Sequence, residues 1–185
     1  NRVCKLTRSK DMAGINTSLD VGFGTGNFTS LRANKVPHAK IVALDLAPEM
    51  IAKASQKPQK SNIEFICTEG EEFLEKAADK SFDLVPSNGS LQWFSNHDRA
   101  LKNIDRILLP GGIFLCSIFG PDSLKKLGMG MKTLFGYPEN VAANAFPDVD
   151  NLQNSLNAYF TRGTVGQELI AKQFESAHDL LVSIK

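Results

Sequence analysis

The segment Leu19-Asp20-Val21-Gly22-Phe23-Gly24-Thr25-Gly26 restricts the fold of this chain more than any other part of its 185 residues. It joins a short apolar run, Thr17-Ser18-Leu19-Asp20-Val21, to a stretch of helical spacing that opens at Asn27. Glycine adopts positive φ without a β-carbon clash and lets the backbone approach a ligand closely. Glycines at alternate positions turn the chain sharply and leave backbone N–H groups near a helix N-terminus. A dinucleotide loop of the form G-x-G-x-x-G would seat a pyrophosphate at that point. The spacing Gly22-x-Gly24-x-Gly26 is one residue tighter, and taken alone it is also compatible with a turn that binds nothing. Asp45 adds a second constraint. It ends the next apolar run, about 20 residues after the last glycine, where an acid reaches the hydroxyls of a ribose. The same carboxylate is placed to cap a helix starting near Pro48, and the two roles are compatible.

Short apolar runs recur along the chain: 17–21, 40–45, 62–67, 81–85 (closed by Pro86) and 112–119. Continuous apolar runs of this length are expected for strands buried on both faces, as a parallel sheet requires. Between them lie helical patterns at 27–34, at 48–56 with Pro48 at a first helical position, at 70–78, and at 98–109, where Leu101, Ile104, Ile107 and Leu108 share one face. Pro110-Gly111-Gly112 is a stop signal for the last of these helices. Strand and helix in regular alternation predict an α/β fold, a Rossmann-like doubly wound and mostly parallel sheet in one domain over residues 1–185. After Phe119 the alternation gives way to a helical region at about 121–160, with helices expected at 122–135 and 150–160 around a loop at 137–148. A late strand is expected at 164–170 and a last helix at 176–185. That final helix stops at the chain end and little precedes the first strand, so a trimmed chain is expected.

Charge narrows the partners. Lys plus Arg number 21 against 20 Asp plus Glu, a balance that argues against a broad nucleic-acid surface, which needs clustered excess cations. No apolar run reaches the roughly 18–20 residues of a membrane span, and the polar, basic start lacks a signal-peptide core. Cys4, Cys67 and Cys116 are an odd, scattered set, as expected of reduced thiols in a cytoplasmic protein, with Cys67 and Cys116 in core packing. His38, His97 and His178 make no metal-ligand spacing with them, so no metal is expected.

The glycine loop with its preceding acid resembles the first motif of the class I S-adenosylmethionine (SAM)-dependent methyltransferases. The resemblance implies that Gly22, Gly24 and Gly26 wrap the methionine part of SAM, that Asp20 lies near its ammonium, and that Asp45 with Leu46 takes the ribose. Glu69 and Gly70 stand where that family has an acid accepting the adenine amino group. The usual Gly-Asp pair is replaced by Thr68-Glu69, and a solvated helix face shared with Glu71 and Glu72 is the plain alternative. Asp83-Leu84-Val85 followed by Ser87-Asn88 is similar to the family's fourth motif, and Leu108 to Gly112 to its turn before the fifth strand. Phe23 and Pro86 depart from the family pattern.

Four further segments resemble the malonyl-acyl-carrier-protein O-methyltransferases of biotin synthesis: Leu44 to Met50, Ser87 to Trp93 (SNGSLQW), Ser117 to Leu124 (SIFGPDSL) and Phe146 to Phe160. The likeness runs from Leu19 to about Ile184. It implies methyl transfer from SAM to the free carboxylate of a malonyl thioester, carried by acyl carrier protein or by coenzyme A. A carboxylate with a reference pKa of about 4 is already nucleophilic at neutral pH, so proximity and water exclusion carry the reaction and no catalytic acid or base is assigned. Gln92, Trp93, Phe119 and Asp122 are expected on the acceptor side, with helix capping as the alternative for Asp122 and plain packing for Trp93. Arg162 and Lys126 are candidates for the malonyl carboxylate by charge alone, and Lys125, Lys126 and Lys132 for an acidic carrier. A trans-aconitate-type methyltransferase, a methyltransferase-like respiratory-complex assembly factor and a SAM-binding module without turnover remain alternatives. Oligomeric state is left open.

Overall fold

The computed structural model describes residues 13–57, 60–136 and 146–183. Five strands form one sheet: β1 (Thr17–Val21), β2 (Lys40–Asp45), β3 (Ile63–Cys67), β4 (Phe82–Asn88) and β5 (Leu108–Ser117). Their order is β3-β2-β1-β4-β5 and every pairing is parallel. From β1 the chain steps outward to β2 and β3, then returns to place β4 on the other side of β1. The connections after β1 and β4 therefore leave in opposite directions, and a crevice opens at the carboxyl ends of these two strands. The helices are α1 (Asn27–Lys35), α2 (Pro48–Ser55), α3 (Gly70–Lys76), α4 (His97–Ile107), α5 (Lys125–Phe135), α6 (Val149–Tyr159) and α7 (Ala177–Ser183), with a 3-10 turn at Leu91–Trp93.

The period of two along each strand divides the core between two faces. Leu19, Val21, Leu44 and Val85 pack with Leu74 of α3, Leu101, Ile104 and Ile107 of α4, and Leu152 and Leu156 of α6. On the opposite face Ile41 and Leu84 meet Ala33 and Val36 at the end of α1, while Ala43 meets Phe23 and Ala54 of α2. Leu101, Ile104 and Ile107 are wholly buried, and each such side chain contributes about 1.5–3 kcal/mol of burial free energy. The helical face expected at these positions is the one that seats α4.

Several boundaries differ from expectation. β4 does not close at Pro86 but continues to Asn88, because Ser87 beyond it pairs with Val21 on one side and Cys116 on the other. The Pro110-Gly111-Gly112 stop lies within β5 rather than before it. Phe82 pairs with Leu108 and Leu84 with Ile113, so the extra β5 residues form a bulge. A proline is tolerated in a bulge on a strand with a neighbour on one side only. The strand expected at 164–170 does not form. That stretch has no ladder, and Gln153 instead occupies the backbone near it, donating to the Gly163 carbonyl at 3.1 Å and accepting from Val165 N at 3.0 Å. Cys67, expected in the core, is exposed because β3 borders the sheet. Cys116 does pack against the core, and burial pushes its thiol up to about 11. Most of the loop expected at 137–148 lies outside the described residues.

Candidate functional site: the crevice between β1 and β4

Gly22, Gly24 and Gly26 all take left-handed φ, at 72°, 58° and 74°. The loop they form is held from the β2 side. Gly22 N and Phe23 N donate to the Leu44 carbonyl at 2.9 and 3.0 Å. Gly24 N donates to Asp45 Oδ2 at 2.7 Å, while Asp45 Oδ1 accepts from Ala47 N at 3.0 Å. Asp45 thus ties the glycine loop to Ala47, the residue that caps the start of α2, in line with the capping alternative for this carboxylate. A carboxylate offers about four acceptor sites, so both oxygens retain capacity for hydroxyl donors. Leu46, next in line, is exposed at the rim. Lys57 closes the loop from outside by donating to the Thr25 carbonyl and Asn27 Oδ1.

Beneath the loop lies a polar network that the sequence did not announce. Asp20 is 1% exposed and accepts from Thr29 Oγ1 at 2.6 Å. Arg32, also buried, stands 3.8 Å from the same carboxylate oxygen. It donates to Ser18 Oγ, whose own hydroxyl donates to the Leu84 carbonyl at 2.9 Å. Burial raises the Asp20 pKa, and Asp45 adds to the rise; Arg32 and Thr29 pull against it. The remaining oxygen, Asp20 Oδ1, is buried with no hydrogen-bond partner. Thr29 and Arg32 lie three residues apart on α1, hence on one helix face, directly after the glycine loop. That spacing of polar groups on a sheet-facing helix was the available signal.

Across the crevice, the turn after β4 is fastened in several places. Ser117 Oγ donates to Asn88 Oδ1 at 2.6 Å, and Gly89 N to the Ser117 carbonyl at 2.8 Å. Gln92 is buried, its Nε2 donating to the Gly89 carbonyl at 2.8 Å, and its Oε1 is buried without a partner. Trp93 is 65% exposed and meets Phe146 edge to face at 5.0 Å. Phe119 is exposed beside the turn, its ring 3.7 Å from where a β-carbon on Gly89 would stand. Gln92, Trp93 and Phe119 are therefore brought to one edge. Asp122, three residues beyond Phe119, pairs with Lys125 Nζ at 3.1 Å. It does not cap α5, whose first turn is preceded by Leu124 at φ 62° with no side-chain cap. Lys126 and Arg162 are both exposed.

Glu69 accepts from Glu72 N at 2.6 Å and so caps α3. Oε2 is thereby engaged with its own helix, and the carboxylate keeps acceptor capacity at Oε1. Gly70 packs tightly: a β-carbon on it would stand 2.8 Å from the Phe94 ring. Glu71 is no idle surface charge either. It accepts from Ser95 N, Ser95 Oγ and Asn96 N and so latches α3 to the start of α4. Burial pushes the Glu71 pKa up, but these bonds and Arg99 outweigh it and leave the group below the ordinary carboxylate range. A cavity of about 430 Å³ between the start of α4 and α6 shares no lining residue with the glycine loop.

An open parallel sheet with an alternate-glycine loop after β1 and an acid ending β2 is the class I SAM methyltransferase fold. The methyltransferase-domain family model matches residues 19–116, and the chain belongs to that family. It is 40% identical over 112 residues to a malonyl-[acyl-carrier protein] O-methyltransferase of Paenibacillus sp., covering 59% of this chain and 41% of that protein. To malonyl-[acyl-carrier protein] O-methyltransferase 2 of Ilyobacter polytropus it is 29% identical, covering 95% of this chain and 66% of the relative. The chain thus spans between two fifths and two thirds of these relatives. Among solved structures, a SAM-dependent methyltransferase from Mesorhizobium loti matches with a TM-score of 0.55 at 24% identity, over 65% of this chain and 52% of that one.

SAM is the cofactor of this fold, and the residues present fit it at two points. Asp20 Oδ1 is a buried acceptor lacking a donor under the loop, as expected beneath a cationic methionine moiety. A β-carbon on Gly24 would meet no protein atom within 4 Å, so that glycine faces open space rather than packing. Among the described residues no group of His, Cys, Asp and Glu is arranged to hold a metal, and no helix is long and apolar enough to cross a membrane.

Proposed function

We propose that this chain is the cofactor-binding core of a SAM-dependent carboxyl O-methyltransferase that methylates the free carboxylate of a malonyl thioester. The observation that carries the reading is the pairing of two walls across one crevice. On one wall stand the close-approach backbone of the glycine loop and the Asp45 carboxylate; on the other, Trp93 and Phe119 expose aromatic surface over the buried Gln92 amide. When bound, SAM supplies an activated methyl group on a sulfonium. Asp45 holds the ribose, and Asp20 supplies negative potential beneath the ammonium. Leu46, Glu69, Gly70 and Asn88 complete the cofactor side, and Asp122 lies with Phe119 and the helical region at about 121–160 on the acceptor side. A malonate carboxylate is ionised at neutral pH, so these residues need to orient it and exclude water rather than remove a proton.

The names of the relatives support malonyl-acyl carrier protein as the acceptor. Lys125, Lys126 and Lys132 on α5 offer positive charge for an acidic carrier. The near balance of cations and anions speaks against a nucleic-acid partner, and free thiols at Cys67 and Cys116 suit the reducing cytoplasm. The test is transfer of labelled methyl from SAM to malonyl-acyl carrier protein, beside malonyl-coenzyme A, malonate and trans-aconitate. Labelling of the malonyl thioesters alone is expected. Labelling only of another acid overturns the acceptor, and SAM binding without transfer to any of them overturns the reaction.

Asp45→Ala checks the cofactor wall. Hydrogen bonds to a charged acceptor contribute about 1.5–3 kcal/mol, so SAM affinity measured by calorimetry should fall roughly ten- to a hundredfold. Unchanged affinity would remove Asp45 from the site.

A further inference from the structure

One contact joins the two walls. Ser90 Oγ donates to the Val21 carbonyl, the last of β1, at 2.7 Å, and lies 2.8 Å from Ser87 Oγ. A carbonyl only accepts, so the single Ser90 proton goes to Val21 and Ser87 donates to Ser90. Ser90 also fills the space beside the glycine loop: a β-carbon on Gly22 would stand 2.2 Å from Ser90 Cβ and 2.3 Å from its Oγ. Meanwhile the Ser90 backbone opens the 3-10 turn, its carbonyl accepting from Trp93 N at 3.0 Å. One side chain therefore touches the cofactor loop while its own backbone sets the turn that carries Gln92 and Trp93.

We propose that Ser90 is a positioning residue that couples the two sides of the crevice, so that cofactor binding at the glycine loop shifts the acceptor-side turn. The physical route is short. The loop is fixed on its β2 side by Leu44 and Asp45, and any adjustment at Val21 and Gly22 on filling the site meets Ser90 directly. Ser90 cannot follow without moving the turn, because Asn88 and Gly89 are held to Ser117. The expected consequence is an acceptor edge whose placement depends on the occupancy of the cofactor side.

This rests on the cofactor part of the proposed function but not on the identity of the acceptor. Trp93 is the sole tryptophan and lies in the turn, so its fluorescence reports the acceptor side. The experiment titrates S-adenosylhomocysteine into the wild-type protein and into Ser90→Ala, reading heat for binding and Trp93 emission for coupling. In the wild type, binding should be accompanied by a shift of emission. In Ser90→Ala binding should persist at about three- to tenfold lower affinity, the loss of one hydrogen bond, and the emission response should be lost. Ser87→Ala, which leaves the Ser90–Val21 bond, should keep the response. Should Ser90→Ala fail to fold by circular dichroism, Ser90→Gly, which likewise removes the donor to Val21, carries the same test. An equal Trp93 response in wild type and variant at saturation, or no response in the wild type despite binding, overturns the coupling role and leaves the cofactor reading standing. No heat of binding in the wild type overturns both.

Discussion

Gly22→Ala should unfold the cofactor loop and abolish SAM binding. The position has φ 72°, and an L-residue pays roughly 1–2 kcal/mol in left-handed backbone. The added methyl would also stand 2.2 Å from Ser90 Cβ, a separation that two carbons do not sustain. Either the loop or the turn must move, and the Ser90 bond to Val21, worth about 1 kcal/mol, is lost with it. A total of roughly 3 kcal/mol is expected from denaturant unfolding, together with no detectable SAM binding by calorimetry. Gly24→Ala is the informative partner. Its β-carbon meets no protein atom within 4 Å, so only the φ strain of about 1–2 kcal/mol applies to stability. Loss of SAM affinity in a folded Gly24→Ala protein would then measure how closely the cofactor approaches the backbone. Wild-type stability and affinity in Gly22→Ala would refute the packing of Ser90 against the loop.

The second large effect is expected at Arg32→Met. Arg32 and Asp20 are both buried, with side chains 5% and 1% exposed. Removing one partner of a buried ion pair costs about 3–5 kcal/mol, because the other charge is left uncompensated. The pH dependence has a definite sign. Burial raises the Asp20 pKa and Arg32 opposes that rise, so deleting Arg32 raises it further. An acid whose folded pKa lies above its unfolded value, about 3.9, contributes stability that is present below that value and lost as pH rises through the folded pKa. The deficit of Arg32→Met relative to wild type should therefore be larger at pH 8 than at pH 5 in urea unfolding. Adding Asp20→Asn should recover part of it at pH 8. Equal deficits at both pH values would show that Asp20 is not the charge Arg32 compensates.

The layout of the fold was readable in the sequence because it depends on local periodicity. The apolar runs at 17–21, 40–45 and 62–67, the face Leu101-Ile104-Ile107, and Pro48 at the start of a helix each carry their own signal within a few residues. The glycine loop and Asp45 were readable for the same reason, since positive φ and a strand-end acid leave residue-type signatures. Gln92, Trp93 and Phe119 came from resemblance, and the structure sets them on one edge. Periodicity fared worse where a boundary depends on a neighbour. Pro86 reads as a strand end and Pro110 as a helix stop ahead of the last strand, yet the pairing of Ser87 with Cys116 carries β4 through the first and the bulge opposite Leu84 takes the second into β5. A late strand is expected at 164–170, but a strand needs a partner, and Gln153 takes the nearby backbone instead.

The sequence by itself thus determined the alternation of strands and helices, the cofactor loop and the acid that ends β2. These are properties of single segments, settled by backbone sterics and side-chain spacing. Only the tertiary structure decided that β4 returns beside β1 and opens the crevice, that Arg32 lies under Asp20, that Glu69 turns to cap its own helix, and that Ser90 fills the space beside Gly22. Each of these is a contact between parts distant in the chain or a choice among competing partners for one polar group. Such outcomes depend on which donor and which volume arrive first at a shared point in space, and no residue carries that information alone.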